Sequence, residues 1–256
     1  MPFSIRNGVL GHADHPVRQI PSPNHSGPFR RPPRFVVMHY TAGASARGSA
    51  AWLANPASGA SAHLVIGREG EVLQCVNFEN RAWHAGRSTW QGLSGLNDHA
   101  IGIELANWGP LAAQDEGWAS PDGKPVPAIL ARHRHGGPEC GWERYPAIQL
   151  ETAAAIVGTL AQAYPIREIL GHDDIAPTRK RDPGPAFDMA DFRKTVFGDL
   201  PCGTVTAHSL NVRSGPALSF PVIDTLARGA RVSLGERHRD WIAIAPERWV
   251  FAGYLA

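Results

Sequence analysis

RFVVMHY, residues 34–40, is a short apolar run rich in strand formers that closes on a histidine and a tyrosine. Bounded by Pro32 and Pro33 before it and the loop TAGAS after it, such a run suits a strand buried on both faces. Outward from it, Ser61 to Ile66 and Glu71 to Phe78 read as a hairpin about the turn GREG, and Ala100 to Leu105 as a further strand. Pro146 to Tyr164 is the clearest helix. It has proline in its first turn, and Leu150, Ala153, Val157, Leu160 and Tyr164, flanked by Ile148, Thr152, Ile156 and Ala163, make a broad apolar face fit to cover a sheet. Strands buried under such a helix point to the α/β class.

At 256 residues the chain is long for one domain, and a main domain with a small satellite is expected. Residues 1–33 carry prolines at 2, 16, 21, 23, 28, 32 and 33 and read as an extended arm on the surface, with the main domain over 34–199. Within it, 109–145 holds several Gly and Pro residues and the cluster RHRHGGPECGWER, a long irregular insertion with one hairpin near Asp122-Gly123. After Asp199 come short alternating runs (LNVR, PVIDTL, ARVSL, WIAIA) between SGP, RG and PER turns, the pattern of a small all-β module over 203–256.

A hydrophobic content of 43% supports a real core, and a net charge of +2 without a basic block argues against nucleic acid as a partner. Residues 1–40 show no charged start followed by an apolar run, so neither a secretory signal nor a membrane span is expected. The compartment stays open between the cytoplasm and export by a non-Sec route. Cys75, Cys140 and Cys202 are odd in number and widely spaced, without a CxxC, and read as reduced thiols.

The chemistry concentrates in GHDDIAPTRKRDPGPAFD, residues 171–188, where His172, Lys180 and Asp182 share one loop. Pro177, Pro183, Pro185 and Gly184 exclude a long helix and impose fixed turns. Imidazole and carboxylate are both zinc ligands, and a catalytic zinc site takes three protein ligands with one position open. A third ligand must come from elsewhere. His39, at the end of a buried strand, is held still and shares a face with Phe35 and Val37. By its own surroundings it reads as a histidine satisfied at a strand end; the loop makes it a ligand candidate. In Ile101-Gly102-Ile103-Glu104-Leu105 alternation sets Glu104 and Gly102 opposite the aliphatic side chains, so a carboxylate faces away from the core with space beside it. It is either a proton carrier or a surface glutamate.

Four ordered motifs, VVMHYTAG (36–43), RAWHAGRSTW (81–90), LNDHAIGIELAN (96–107) and the 171–188 loop, together resemble the type-2 N-acetylmuramoyl-L-alanine amidases over residues 34–197. The resemblance implies a mixed central β-sheet flanked by helices, with one Zn2+ per chain in a groove. It implies that His39, His172 and Asp182 hold the metal, that Glu104 is the acid/base and that Lys180 stabilises the oxyanion. Trp83, His84 and Asn97 match positions near the substrate groove. The implied reaction is hydrolysis of the amide between the N-acetylmuramic acid lactyl group and L-alanine, in peptidoglycan or muropeptides, by a monomer. A non-catalytic peptidoglycan-recognition protein on the same fold is the alternative, and it would lack a ligand or the acid/base. All five positions are filled.

The tail from Thr204 onward, with LNVRSGP, LARGARVSL and WVFAGYL, resembles a bacterial SH3-like barrel. That implies contact with cell-wall peptide, for which Trp241, Trp249 and Tyr254 are the aromatic candidates, each as fit to be core. His63 reads as structural, and His133 and His135 lack a nearby carboxylate in sequence and do not read as a metal pair. Asp173 and Asp174 are expected to order their loop through side-chain to backbone bonds.

Overall fold

The computed structural model describes residues 2–115, 117–198, 202–245 and 247–256. They fall into two units, Met1–Val196 and Phe197–Ala256. In chain order the first unit opens with β1 (Phe3–Arg6), β2 (Val9–His12), β3 (Arg18–Gln19) and β4 (His25–Pro28). Next come β5 (Phe35–Tyr40), α1 (Ala46–Leu53), β6 (Leu64–Ile66), β7 (Val72–Gln74), β8 (Asn80–Ala82), β9 (Thr89–Trp90), β10 (Leu93–Ser94) and β11 (Ala100–Leu105). β12 (Ala112–Ala113), β13 (Trp118–Ala119), β14 (Ala128–Arg132) and β15 (Glu139–Glu143) precede the long helix α2 (Ala147–Ala163). β16 (Glu168–Gly171), α3 (His172–Ile175) and α4 (Met189–Phe197) complete it, the last reaching one residue past the boundary.

The central sheet has the order β16-β5-β11-β6-β7-β3 and is mixed. β5 runs parallel to both β16 and β11, and β11 parallel to β6, while β6 and β7 form the antiparallel hairpin. Phe35, Val36, Val37 and Met38 are wholly buried, as an interior strand covered on both faces requires. Phe35 and Val37 pack with Ala85, Leu96, Ala100, Leu170 and Ile175 into one apolar cluster.

α2 begins after Pro146 and buries Ala153, Ile156, Val157 and Leu160. The apolar face read from the sequence differs at several positions, among them Ile148 and Ala163, which are exposed, and Gln149, which is fully buried. Gln149 is the informative one. The reason is a hydrogen-bonding need. Gln149 Nε2 donates to the carbonyls of Ile66 (3.0 Å) and Ala106 (3.1 Å), where β6 and β11 end.

Residues 1–33 are more than an extended arm. β1 and β2 form a hairpin whose turn residues, Asn7 and Gly8, both have positive φ. An Asn-Gly pair between short strands is the turn chemistry of a two-residue hairpin, a cue outweighed by the prolines in a composition-based reading. Gln74 anchors it: its Oε1 accepts from Leu10 N (2.9 Å) and its Nε2 donates to Gly8 O (2.9 Å). β3 then joins the sheet edge parallel to β7, and β4 pairs with β8.

The 109–145 insertion differs from expectation in the same direction. Asp122-Gly123 sits in a tight turn in which Gly123 N donates to Ser120 O (2.9 Å), but the long ladder is β14 with β15, turned through Gly136 and Gly137. The β14–β15 turn is latched onto α3. Arg134 Nη2 donates to Asp173 Oδ1 (2.6 Å) and Asp174 Oδ1 (2.8 Å), and Arg134 Nε and His133 Nε2 both reach Asp173 Oδ2 (3.0 Å). Asp174 Oδ2 does bond backbone, accepting from Gly171 N (2.7 Å), whereas Asp173 serves this ion cluster.

The second unit carries β17 (Cys202–Thr204), β18 (Ser209–Arg213), β19 (Val222–Ala227), β20 (Arg231–Ser233), β21 (Arg237–His238), β22 (Trp241–Ala245) and β23 (Arg248–Phe251). Five of them form an antiparallel sheet in the order β19-β18-β23-β22-β21, and β17 pairs with β20. Val205, Leu210, Val212, Ile242 and Val250 make its core. Trp241 is buried, Trp249 half-buried and Tyr254 exposed.

Two predictions test this framework. Asp173→Ala leaves a buried His133 without its carboxylate and a half-exposed Arg134 with Asp174 alone, and stability should fall by about 2 kcal/mol in urea unfolding. Amide exchange across 128–143 should quicken, and unchanged exchange there would refute the latch. His63 is buried, accepts from Gly102 N at Nδ1 (2.9 Å) and donates from Nε2 to Asn80 O (2.9 Å), a satisfied structural histidine. Burial lowers its pKa from 6.5 to about 4, so between those values the unfolded chain binds the proton and the folded one does not. Stability should therefore fall as pH drops through that window, by about 3 kcal/mol for this group. His63→Asn should flatten the pH dependence by that amount; an equal slope in both proteins would refute the assignment.

Candidate metal centre and active site

The site is built by strand register. In the parallel ladder of β5 with β11, His39 lies opposite Glu104, and in that of β5 with β16, Met38 lies opposite Gly171. His172, the first residue beyond β16, therefore arrives beside His39. Three adjacent strands thus deliver an imidazole, an imidazole and a carboxylate to one end of the sheet.

The third member of the cluster arrives on the loop after α3. Arg179 N and Lys180 N both donate to Ala176 O (2.9 Å), and Asp173 N donates to Asp182 O (2.9 Å), which closes the loop on itself. Tyr145 Oη donates to Pro183 O (2.8 Å), and the Asp182-Pro183 peptide is cis. Gly184 has φ 75°, and a Cβ there would lie 2.6 Å from the Trp142 ring, so glycine is required both by conformation and by space.

His39 Nδ1, His172 Nδ1 and Asp182 Oδ2 form a triangle with sides of 2.9, 2.8 and 2.9 Å. All three residues are buried, and among the described residues this is the group of His, Cys, Asp and Glu side chains able to hold a metal ion. His172 Nε2 faces the Ala85 carbonyl at 3.0 Å, an atom that only accepts, so that ring's proton sits on Nε2 and its Nδ1 carries a lone pair. A nitrogen lone pair thus points at a carboxylate oxygen and a second imidazole nitrogen with no room for water between them. Such a donor set fits a cation, and two imidazoles with one carboxylate suit zinc.

Electrostatics favour the same state. Burial, reinforced by His172, pushes the His39 pKa down to about 4, so the ring is neutral and ligand-ready. Asp182 Oδ2 faces the lone pair of His172 Nδ1, a gathering of negative potential that a cation would offset. Glu104 is different. Burial and then the Asp182 charge raise its pKa well above the ordinary value, with Lys180 opposing, and its Oε2 is buried without a partner. The Lys180 charge also bears on His39, so the ammonium lies within electrostatic reach of both. A cavity of about 310 Å³ opens beside Glu104, walled by the Thr41–Ser45 loop and α1 with Trp52 at its rim.

The three positions expected near substrate divide. Trp83 is part exposed and donates from Nε1 to Ser26 Oγ (2.7 Å). His84 is buried against His39, its Nδ1 3.1 Å from His39 Nε2. Asn97 Oδ1 accepts from His84 N (3.0 Å) and Ala85 N (2.7 Å). Sequence reasoning passed over Arg179, whose Nη2 donates to Ala85 O (2.8 Å) and Arg87 O (3.0 Å), because an arginine in a loop carries no pattern of its own. It also passed over Thr41, Ser49 and Trp52 in the cavity wall. His133 and His135 hold Asp173 through its carboxylate and its carbonyl, so they serve the latch.

A family model described as N-acetylmuramoyl-L-alanine amidase matches residues 29–185, and one described as bacterial SH3 domain matches residues 208–256. The 1,6-anhydro-N-acetylmuramyl-L-alanine amidase AmpD of Escherichia coli (strain K12) is 39% identical over 138 residues, 53% of this chain and 58% of that protein. The chain thus spans little more than half the length of that relative. AmpD of Enterobacter cloacae is 35% identical over 208 residues, 73% of this chain and 92% of that protein. A solved structure of a selenomethionine AmpD derivative superposes with a TM-score of 0.52 at 31% identity, covering 75% of this chain and 98% of that one. With a match that takes in both ends of the buried cluster, His39 and Asp182, and well over half of the sequence, the chain belongs to the N-acetylmuramoyl-L-alanine amidase family and carries a bacterial SH3 domain behind the amidase region.

Proposed function

We propose that this chain is a zinc-dependent N-acetylmuramoyl-L-alanine amidase that hydrolyses the amide between the muramic acid lactyl group and the L-alanine of the stem peptide. The observation that carries the reading is the triangle of His39 Nδ1, His172 Nδ1 and Asp182 Oδ2 beside a buried glutamate with an unpartnered oxygen. His39, His172 and Asp182 would hold the metal, which supplies Lewis acidity, making water acidic near pH ~7 and polarising a carbonyl.

The chain's own groups do the rest. Glu104 Oε2, free of protein partners, takes the proton of the attacking water and delivers it to the departing L-alanine nitrogen. Its raised pKa suits both directions of transfer, because a carboxylate in the ordinary acidic range is a poor proton donor at neutral pH. The Lys180 ammonium, within electrostatic reach of His39 and Glu104, balances the charge that develops on the carbonyl oxygen. The substrate class, peptidoglycan or soluble muropeptides, follows from the family, and the second unit would tether the enzyme to polymeric wall and raise local substrate concentration. Of its aromatic candidates, exposed Tyr254 and half-buried Trp249 suit that role, and buried Trp241 suits the core.

Release of soluble fragments from dye-labelled sacculi should stop with chelator and return with added zinc. Glu104→Gln should abolish turnover while zinc content stays at one per chain, and Lys180→Ala should lower the rate about 10²- to 10³-fold with zinc retained. Activity surviving both chelation and Glu104→Gln would refute the reading. For the second unit, the chain ending at residue 198 should lose co-sedimentation with sacculi yet keep its rate on soluble muropeptide. Equal sedimentation of the two proteins would exclude the tether.

A further inference from the structure

We propose that His84, the Ala85 carbonyl and Asn97 form an outer layer that selects the ring tautomer of both His39 and His172, turning a lone pair on each Nδ1 toward the metal. The proposal rests on the metal reading above, and it moves His84 and Asn97 from substrate contact to metal positioning.

His84 Nε2 lies 3.2 Å from the Ala100 carbonyl oxygen, which can only accept. With its one proton there, the His84 ring has a lone pair on Nδ1. That Nδ1 is 3.1 Å from His39 Nε2, so His39 supplies the hydrogen of this bond and its own lone pair sits on Nδ1. Nδ1 is the atom 2.8 Å from Asp182 Oδ2. The opposite tautomer of His39 would set two nitrogen lone pairs against each other at 3.1 Å in a buried place.

His172 is set by the neighbouring residue. Its Nε2 lies 3.0 Å from Ala85 O, and the two protons of Arg179 Nη2 go to Ala85 O (2.8 Å) and Arg87 O (3.0 Å), both nearer than the 3.5 Å from that nitrogen to His172 Nε2, so His172 Nε2 donates. Residues 84 and 85 therefore address one metal-facing ring each. Asn97 fixes that pair, since its single Oδ1 accepts from both backbone N–H groups. Gly102 makes the space: a Cβ at that position would lie 2.3 Å from His84 Cγ. Partners that orient ligating histidines in this way commonly carry 10- to 100-fold of metal affinity, as an order of magnitude.

Long-range 1H–15N correlation spectra of the zinc-loaded full chain should find the proton on Nε2 in both His39 and His172, because the lone pairs that face Asp182 Oδ2 on the inner side need a cation between them. A proton on Nδ1 of either ring would overturn the proposal, and this measurement needs no variant. In competition with a chromophoric chelator, His84→Leu and Asn97→Leu should bind zinc about 10- to 100-fold more weakly. His84→Asn keeps an acceptor near the Nδ1 position, and Asn97→Asp keeps the shared acceptor oxygen; both should recover most of the affinity. At saturating zinc the KM of His84→Leu for muropeptide should match the parent protein. Unchanged zinc affinity with a raised KM would return His84 to the substrate. Failure of the parent protein to bind zinc at all would remove the metal reading instead, with the proton on His84 Nε2 still legible in zinc-free spectra.

Discussion

The parallel pairing of β5 with β11 on one side and β16 on the other is the constraint from which the site follows. It sets His39 opposite Glu104 and leads β16 directly into His172. A slip of one residue in either ladder would turn a functional side chain to the other face of the sheet, because strand side chains alternate. The full burial of Phe35 through Met38 holds the register, since a slipped β5 would forfeit that packing. Apolar packing at one end of the strand thus decides where polar chemistry lies at the other.

That polar chemistry is costly in a buried place and is arranged to limit the cost. Neutral His39 and His84 avoid the penalty of buried imidazolium. Asp182 carries the negative charge, which a cation held among the three groups would offset. Among the described residues Glu104 Oε2 has no partner. An orphaned carboxylate oxygen is unfavourable for stability, and active sites are where such an expense is found, because a group already satisfied by protein cannot move a proton to substrate.

Much of this was legible in the sequence, and the limits have physical causes. RFVVMHY, the 61–78 hairpin, Ala100 to Leu105 and the 146–164 helix all stand close to where their patterns set them, because burial imposes a period on apolar residues. The proline-punctuated loop and the strand histidine meet at the cluster. Features that depend on one polar side chain reaching across the fold were illegible. Gln149 in the core, Gln74 under the β1–β2 hairpin and Arg134 on Asp173 each break the local pattern to satisfy a partner 39 to 83 residues away. The contact of His84 with His39 was illegible for the same reason: its motif is visible, but the ring it faces lies 45 residues away in sequence.

The insertion at 109–145 carries the last consequence. The loop from 171 to 188 contains one helix of four residues and otherwise irregular backbone, so its order has to come largely from outside. Three anchors supplied by the insertion meet it: Arg134 at Asp173, Tyr145 Oη at Pro183 O, and the Trp142 ring against Gly184. They grip the loop on both sides of the segment that presents Lys180 and Asp182. An insertion that reads in sequence as a long irregular loop is then part of what holds the cluster still, and a change made there would act on the loop that carries Lys180 and Asp182 as well.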